Sequence, residues 1–95
     1  FWSVYAASEG PGTPVTRMFE QIDLVHRLIE QYPDTFQLAT TAAEVREARR
    51  RGRIASLIGA EGGHMIGNSL AMLRNAHRLG VRYMTLTHNV THDWA

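Results

Sequence analysis

The chain contains no cysteine and no lysine, and only three of its 95 residues are proline. Without cysteine there is no disulfide framework and no thiolate metal site, so any metal must be held by histidine and carboxylate. Charge of either sign is also scarce in the balance: ten arginines face nine acidic residues, for a net charge of +1. That excludes the broad electrostatic footprint of a nucleic-acid or membrane-surface binder. No apolar run approaches the roughly 18 residues of a membrane span, and no charged-then-apolar signal region opens the chain. A chain of this length buries only about 60–65% of the surface its unfolded form exposes, so it makes one domain at most, with a thin core. It has no initiator Met and starts and stops beside strand-like runs. The expectation is that residues 1–95 are a piece of one larger domain.

What is present alternates. Phe1–Tyr5 is aromatic and β-branched, as strands are. Ser8–Gly12 is a loop by its Gly/Pro content. Thr13 followed by Pro14 starts a helix, because the proline's missing N–H would be unpaired there in any case. Val15, Met18, Ile22, Val25, Ile29 and Tyr32 continue it as one apolar stripe, until Pro33 and Asp34 end it. Phe36–Thr40 reads as a short strand. Thr41 and Glu44 fit a capping box for a second helix with Val45 and Ala48 inward, and Gly52 stops it. Ile54–Ala60 is almost continuously small and apolar, which suits a strand buried on both faces of a parallel sheet. Asn68 or Ser69 caps a third helix, with Leu70, Leu73, Ala76, His77 and Leu79 on or near its inner stripe, and Gly80 closes it. Val81–Thr87 is a fourth strand and 88–95 a loop.

The order βαβαβαβ calls for an α/β fold with a parallel sheet and right-handed crossovers. The repeat averages about 27 residues, close to the roughly 30 of one βα unit in an eight-stranded barrel. A doubly wound open sheet gives the same local pattern.

In either architecture, working groups lie just past the C-terminal ends of strands. That picks out Tyr5–Ser8, Thr40–Thr41, Glu61–His64 and His88–Asp93. Glu61 follows an apolar run and precedes two glycines. A carboxylate at the mouth of a buried strand needs a cation or donors, and the glycines permit close approach. The plainer alternative is a glutamate bonded to the amides of a tight turn. His88 holds the equivalent place on the next strand, where an imidazole can bind a metal or stabilise an oxyanion. The alternative there is a solvated loop histidine. His64 is balanced between function and orienting its loop. His92 and Asp93 read as a polar loop, and His26 and His77 as structural helix residues. Gly59, Gly62, Gly63 and Gly67 match neither a dinucleotide fingerprint nor a P-loop, which also needs lysine. Arg46, Arg49, Arg50, Arg51 and Arg53 cluster where a helix C-terminus favours positive charge, without the interleaved aromatics of a nucleic-acid site. Asn89-Val90-Thr91 is a glycosylation sequon that matters only in a secreted protein.

Several strings carry more than spacing. Phe1-Trp2-Ser3-Val4-Tyr5, Ile54–His64 with its Glu61-Gly62-Gly63-His64, Leu79–Asn89 with Thr85-Leu86-Thr87-His88, and Trp94-Ala95 resemble the renal (membrane, or microsomal) dipeptidase family. Glu20–Asp23 and Tyr32-Pro33 fall in the same register. The resemblance implies a partial (β/α)8 barrel, about four parallel strands with three helices. It implies hydrolysis of dipeptides by a metal-activated hydroxide, using two zinc ions roughly 3.5–4 Å apart. It makes Glu61 the carboxylate that bridges the metals and His88 a catalytic residue of the substrate-binding site. It gives His64 no catalytic role. The family's remaining ligands, an N-terminal His-x-Asp pair and later His and Asp residues, have no match in this chain, so the segment alone is expected to be inactive. Animal members carry a cysteine pair at places matching Ser8 and Val90, and both are absent here. The expected partner is a dipeptide, with no nucleic acid and no membrane span, and a homodimer of the parent is the assembly to look for. A non-catalytic α/β scaffold, or another barrel metal-dependent amidohydrolase, are the alternatives. The His-x-Asp pair and the late His and Asp in the flanking sequence would decide between them.

Overall fold

A computed structural model describes residues 1–8 and 13–94. Most of the predicted Ser8–Gly12 loop lies outside these residues, as does Ala95. The elements are β1 (Trp2–Val4), α1 (Pro14–Gln31), β2 (Phe36–Leu38), α2 (Ala42–Arg50), β3 (Ile54–Ser56), β4 (Ile58–Ala60), a 3-10 turn (Gly63–Ile66), α3 (Leu70–Arg78) and β5 (Val81–Met84). Every strand pairing is parallel, as the alternating pattern predicts.

The helices begin where their caps dictate. The Thr13 hydroxyl accepts the Thr16 amide, with Pro14 in the first turn. Met18, Ile22 and Val25 then point inward and are buried. Each buried side chain of this kind contributes about 1.5–3 kcal/mol. They pack on Val4, Ile58 and Ala60 of β1 and β4 in one core. In α1 His26 is structural, as predicted: its Nε2–H donates to the Leu79 carbonyl at 2.5 Å, beyond the end of α3. For α3 the cap is Ser69, whose hydroxyl accepts the Met72 amide.

Three expectations are corrected. The run Ile54–Ala60 is two strands, not one. The Ser56 carbonyl accepts from Ala39 and the next carbonyl, Leu57, accepts from Trp2. The chain therefore changes partner within one residue. This gives a three-stranded sheet in the order β1-β4-β5 and a separate pair β2-β3. Strand 36–38 is thus not the neighbour of strand 2–4, as consecutive barrel units would require. The long apolar run offers edge groups to more than one short partner. Second, β5 ends at Met84 instead of reaching Thr87. Third, the inner stripe of α3 is mostly unburied. Ala76 is buried, but Leu70 is 65% and Leu79 42% exposed, and His77 is exposed too. Nothing among the described residues covers that face.

The capping box at α2 is half as predicted. The Thr41 hydroxyl accepts the Glu44 amide at 3.1 Å. The Glu44 carboxylate reaches one residue further back, accepting the Thr40 amide at 2.6 Å and the Thr40 hydroxyl at 2.9 Å. These two donors hold the Glu44 carboxyl below its usual range. A carboxyl with a lowered folded pKa stabilises the fold above the unfolded value and loses that effect as pH falls through the folded one. Amide protection in the first turn of α2 should therefore fall as pH drops below the ordinary glutamate range, and Glu44→Gln should flatten that dependence. Thr41→Ala should weaken the same amides by about 1 kcal/mol at neutral pH, read by hydrogen exchange.

Candidate active site

Parallel pairing brings the ends of β1, β4 and β5 to one edge. Val4 pairs with Ala60, and Ala60 with Met84. The Glu61 amide donates to the Val4 carbonyl and the Thr85 amide to the Ala60 carbonyl. The segments starting at Tyr5, Glu61 and Thr85 therefore leave the sheet together.

Successive strand residues face opposite ways. Val4, Ile58 and Ala60 share the face that packs on α1. Ser3, Gly59, Tyr83 and Glu61 share the other. Gly59 is there for close approach: a Cβ at this position would lie 1.9 Å from the Tyr83 ring, which crosses it. Tyr83 in turn packs against Phe1, with ring centroids 5.3 Å apart.

Glu61 is half-buried, and its Oε1 accepts the Ser3 hydroxyl at 2.6 Å. Gly62 follows with φ 116°, a conformation that glycine adopts without strain. A Cβ on it would strike the His64 imidazole at 2.4 Å and come within 3.3 Å of the His88 Cβ. The His88 Cβ thus lies beside Gly62, the residue that follows Glu61. The His88 ring is exposed and lies 4.7 Å from the Tyr5 ring.

His64 orients its loop. Its Nε2–H donates to the Ala6 carbonyl at 2.6 Å, and its ring meets the Tyr5 ring edge-on. On its far side it stacks on His92, which stacks on Trp94. The rings His88, Tyr5, His64, His92 and Trp94 thus form one continuous row around the Glu61–His64 turn. Among the described residues His64 Nδ1 and His92 Nε2 are buried without a hydrogen-bond partner. Trp94 covers Gly63, where a Cβ would lie 2.3 Å from its ring. Its Nε1–H donates to Asn68, whose amide donates to Asp93. His92 and Asp93, read from sequence as a plain polar loop, are therefore part of a packed latch on the 3-10 turn.

Two supporting residues carry no sequence signal of their own. Gln21 of α1 holds the Tyr5 backbone at both groups: its Oε1 accepts the Tyr5 N–H at 2.7 Å and its Nε2 donates to the Tyr5 carbonyl at 2.5 Å. It acts as a substitute strand partner where β1 has run out. Ser3 is the other. Both pairings join residues that only the fold brings together.

The other candidates stay apart. Thr40 and Thr41 serve the α2 cap. Among the arginines, Arg50 pairs with Glu47 and Arg53 donates to Gln37. Among the described residues no three His, Asp or Glu side chains gather into a group able to hold a metal ion. Glu61 is a hard oxygen donor with lone pairs left over, since a carboxylate has about four acceptor positions. The donor set fits one ligand of a metal centre, not a whole centre. No helix of the described residues is long and apolar enough to cross a membrane.

The sequence profile of the family described as membrane dipeptidase (Peptidase family M19) matches residues 1–95. Dipeptidase verJ of Clonostachys rogersoniana is 57% identical over 76 residues, covering 80% of this chain and 20% of that protein. Dipeptidase ataJ of Aspergillus terreus is 44% identical over 97 aligned positions, covering 93% of this chain and 24% of that protein. The chain spans a quarter or less of the length of these relatives. With the profile matched from end to end, the chain belongs to the membrane dipeptidase family, peptidase family M19.

Proposed function

We propose that these residues form part of the active site of a zinc-dependent dipeptidase with a parallel α/β fold. The observation that supports this is that the segments carrying Glu61 and His88 leave the same C-terminal edge of a parallel sheet, in a chain matched throughout by a dipeptidase family. Working groups of parallel α/β folds gather at that edge.

Glu61 is a metal-bridging carboxylate in this reading, completed by donors outside the 95 residues. Zinc, when bound, supplies Lewis-acid activation of water and of the scissile carbonyl. The chain's own residues do the rest. The β1–β4 register fixes where the Glu61 carboxylate stands, and Ser3 occupies one of its acceptor positions. His88 presents an imidazole beside Gly62, braced by the Tyr5 ring. An imidazole there can donate a hydrogen bond to the substrate carbonyl oxygen as it gains negative charge, an interaction stronger in the transition state than in the ground state. The row of rings from Tyr5 to Trp94 lines the turn that follows Glu61. The substrate is a dipeptide, the class that the relatives' names state. The 95 residues by themselves supply one candidate metal ligand and should not hydrolyse dipeptides.

The test is on the full-length parent. Glu61→Gln should lose at least one equivalent of zinc and nearly all dipeptide hydrolysis, by metal analysis and steady-state rates. Wild-type metal content and rate would end the bridging assignment. His88→Ala should retain its zinc and lose about 10²–10³ in kcat. Loss of zinc in that variant would make His88 a ligand instead.

A further inference from the structure

We propose that Ser3 is a positioning residue for the Glu61 carboxylate, an inference that rests on Glu61 being a metal ligand. The Ser3 hydroxyl is 2.6 Å from Glu61 Oε1. That is the length of a charge-assisted O–H···O⁻ bond, about 2.5–2.7 Å. The contact is set by the sheet. Ser3 pairs with Gly59 across the β1–β4 ladder, and Glu61 is two residues beyond Gly59 on the same face. Diagonal neighbours on one face are within reach of a long side chain. Gly59 presents no side chain between them, and the Tyr83 ring fills the space above it. The Glu61 carboxylate therefore has one protein donor among the described residues, on the next strand.

A serine is well matched to this task. It adds no charge, so it leaves the carboxylate anionic and able to bind a cation. It takes one acceptor position of Oε1, and the others remain for metal. It also fixes the carboxyl torsion, which otherwise rotates over a broad range. A ligand held in its binding orientation before the metal arrives loses less entropy on binding. Hydrogen bonds of this kind to a ligating side chain are typically worth about 10–100-fold in metal affinity or activity.

The experiment measures zinc affinity of the full-length parent by competition with a chromophoric chelator. It compares wild type, Ser3→Ala, Ser3→Thr and Glu61→Gln, with thermal unfolding of each metal-free form. The expected result is about 10–100-fold weaker zinc binding for Ser3→Ala. Ser3→Thr, which keeps the hydroxyl and suits a strand, should stay within about threefold of wild type. The metal-free forms of both should unfold at the wild-type temperature. Wild-type zinc affinity in Ser3→Ala, with Glu61→Gln having lost zinc, would overturn the role of Ser3 and leave that of Glu61 standing. Full zinc binding in Glu61→Gln would remove the basis of both. Equal loss in Ser3→Thr and Ser3→Ala, or a metal-free Ser3→Ala that melts well below wild type, would make Ser3 a packing residue and also overturn the proposal.

Discussion

When Val4 pairs with Ala60 and the Glu61 amide donates to the Val4 carbonyl, the Glu61 side chain has no choice of face. Strand alternation puts Ala60 into the core with Ile58 and Val4, and Glu61 onto the opposite side. A slip of one residue in this ladder would bury the carboxylate against Met18 and Ile22 of α1 and expose Ala60. Burying a carboxylate without a partner costs several kcal/mol after relaxation, far more than one hydrogen bond returns. Core packing thus enforces the register, and the register delivers the carboxylate. The same ladder, carried through Ala60 and Met84 to β5, fixes where the chain turns toward His88.

The turn after Glu61 shows how glycines serve such a site without binding anything themselves. Gly62 lets the chain turn at φ 116° and leaves room for the His64 ring and the His88 Cβ. Gly63 lets the Trp94 ring come close to the turn. The sequence marks these glycines for close approach and not for a phosphate loop, and the packing supplies the approaching groups. The approach is by rings of the same chain. Those rings then tie the loop after β5 to the loop after β1, through His92, His64 and Tyr5. Two loops more than eighty residues apart in sequence at their extremes become one surface.

Much of this was legible before any coordinates. Thr13, Thr41 and Ser69 signal their helices because a hydroxyl cap is a local device, read within four residues. The apolar stripe of α1 follows from periodicity and the burial of Ile58–Ala60 from an unbroken apolar run, both of them local signals. The positions of Glu61 and His88 follow from the rule that parallel strands work at their C-terminal ends. What was not legible depends on pairing at a distance. The division of Ile54–Ala60 between two partners turns on which carbonyl meets which amide, and both halves look equally apolar. Ser3 reads as an ordinary exposed strand residue until its register to Gly59 is known. Gln21 lies at the border of a helix stripe, and only the end of β1 gives its amide a purpose. The role of His92 needs Trp94 and His64 on either side of it. The uncovered face of α3 was misjudged because periodicity says which face is apolar, not whether anything lies on it.

A single strand edge therefore carries three kinds of control over the candidate site. Core packing sets the register, the register sets the carboxylate, and hydroxyl and amide side chains from outside β4 hold what the register alone leaves free. Gln21 and Ser3 belong to the last kind. Each acts where a regular ladder ends: Gln21 on the backbone of Tyr5 beyond β1, Ser3 on the side chain of Glu61 beyond β4. Strand ends are where catalytic groups can face an open mouth, and also where backbone hydrogen bonding stops fixing them. A site at such an edge needs side-chain braces in proportion to the precision its chemistry demands. Metal-assisted hydrolysis demands much, because ligand, water and substrate must align together. Gln21 satisfies backbone groups that the end of β1 would leave unpaired and so serves the fold, whereas the Ser3 bond acts on a side chain of the candidate site itself.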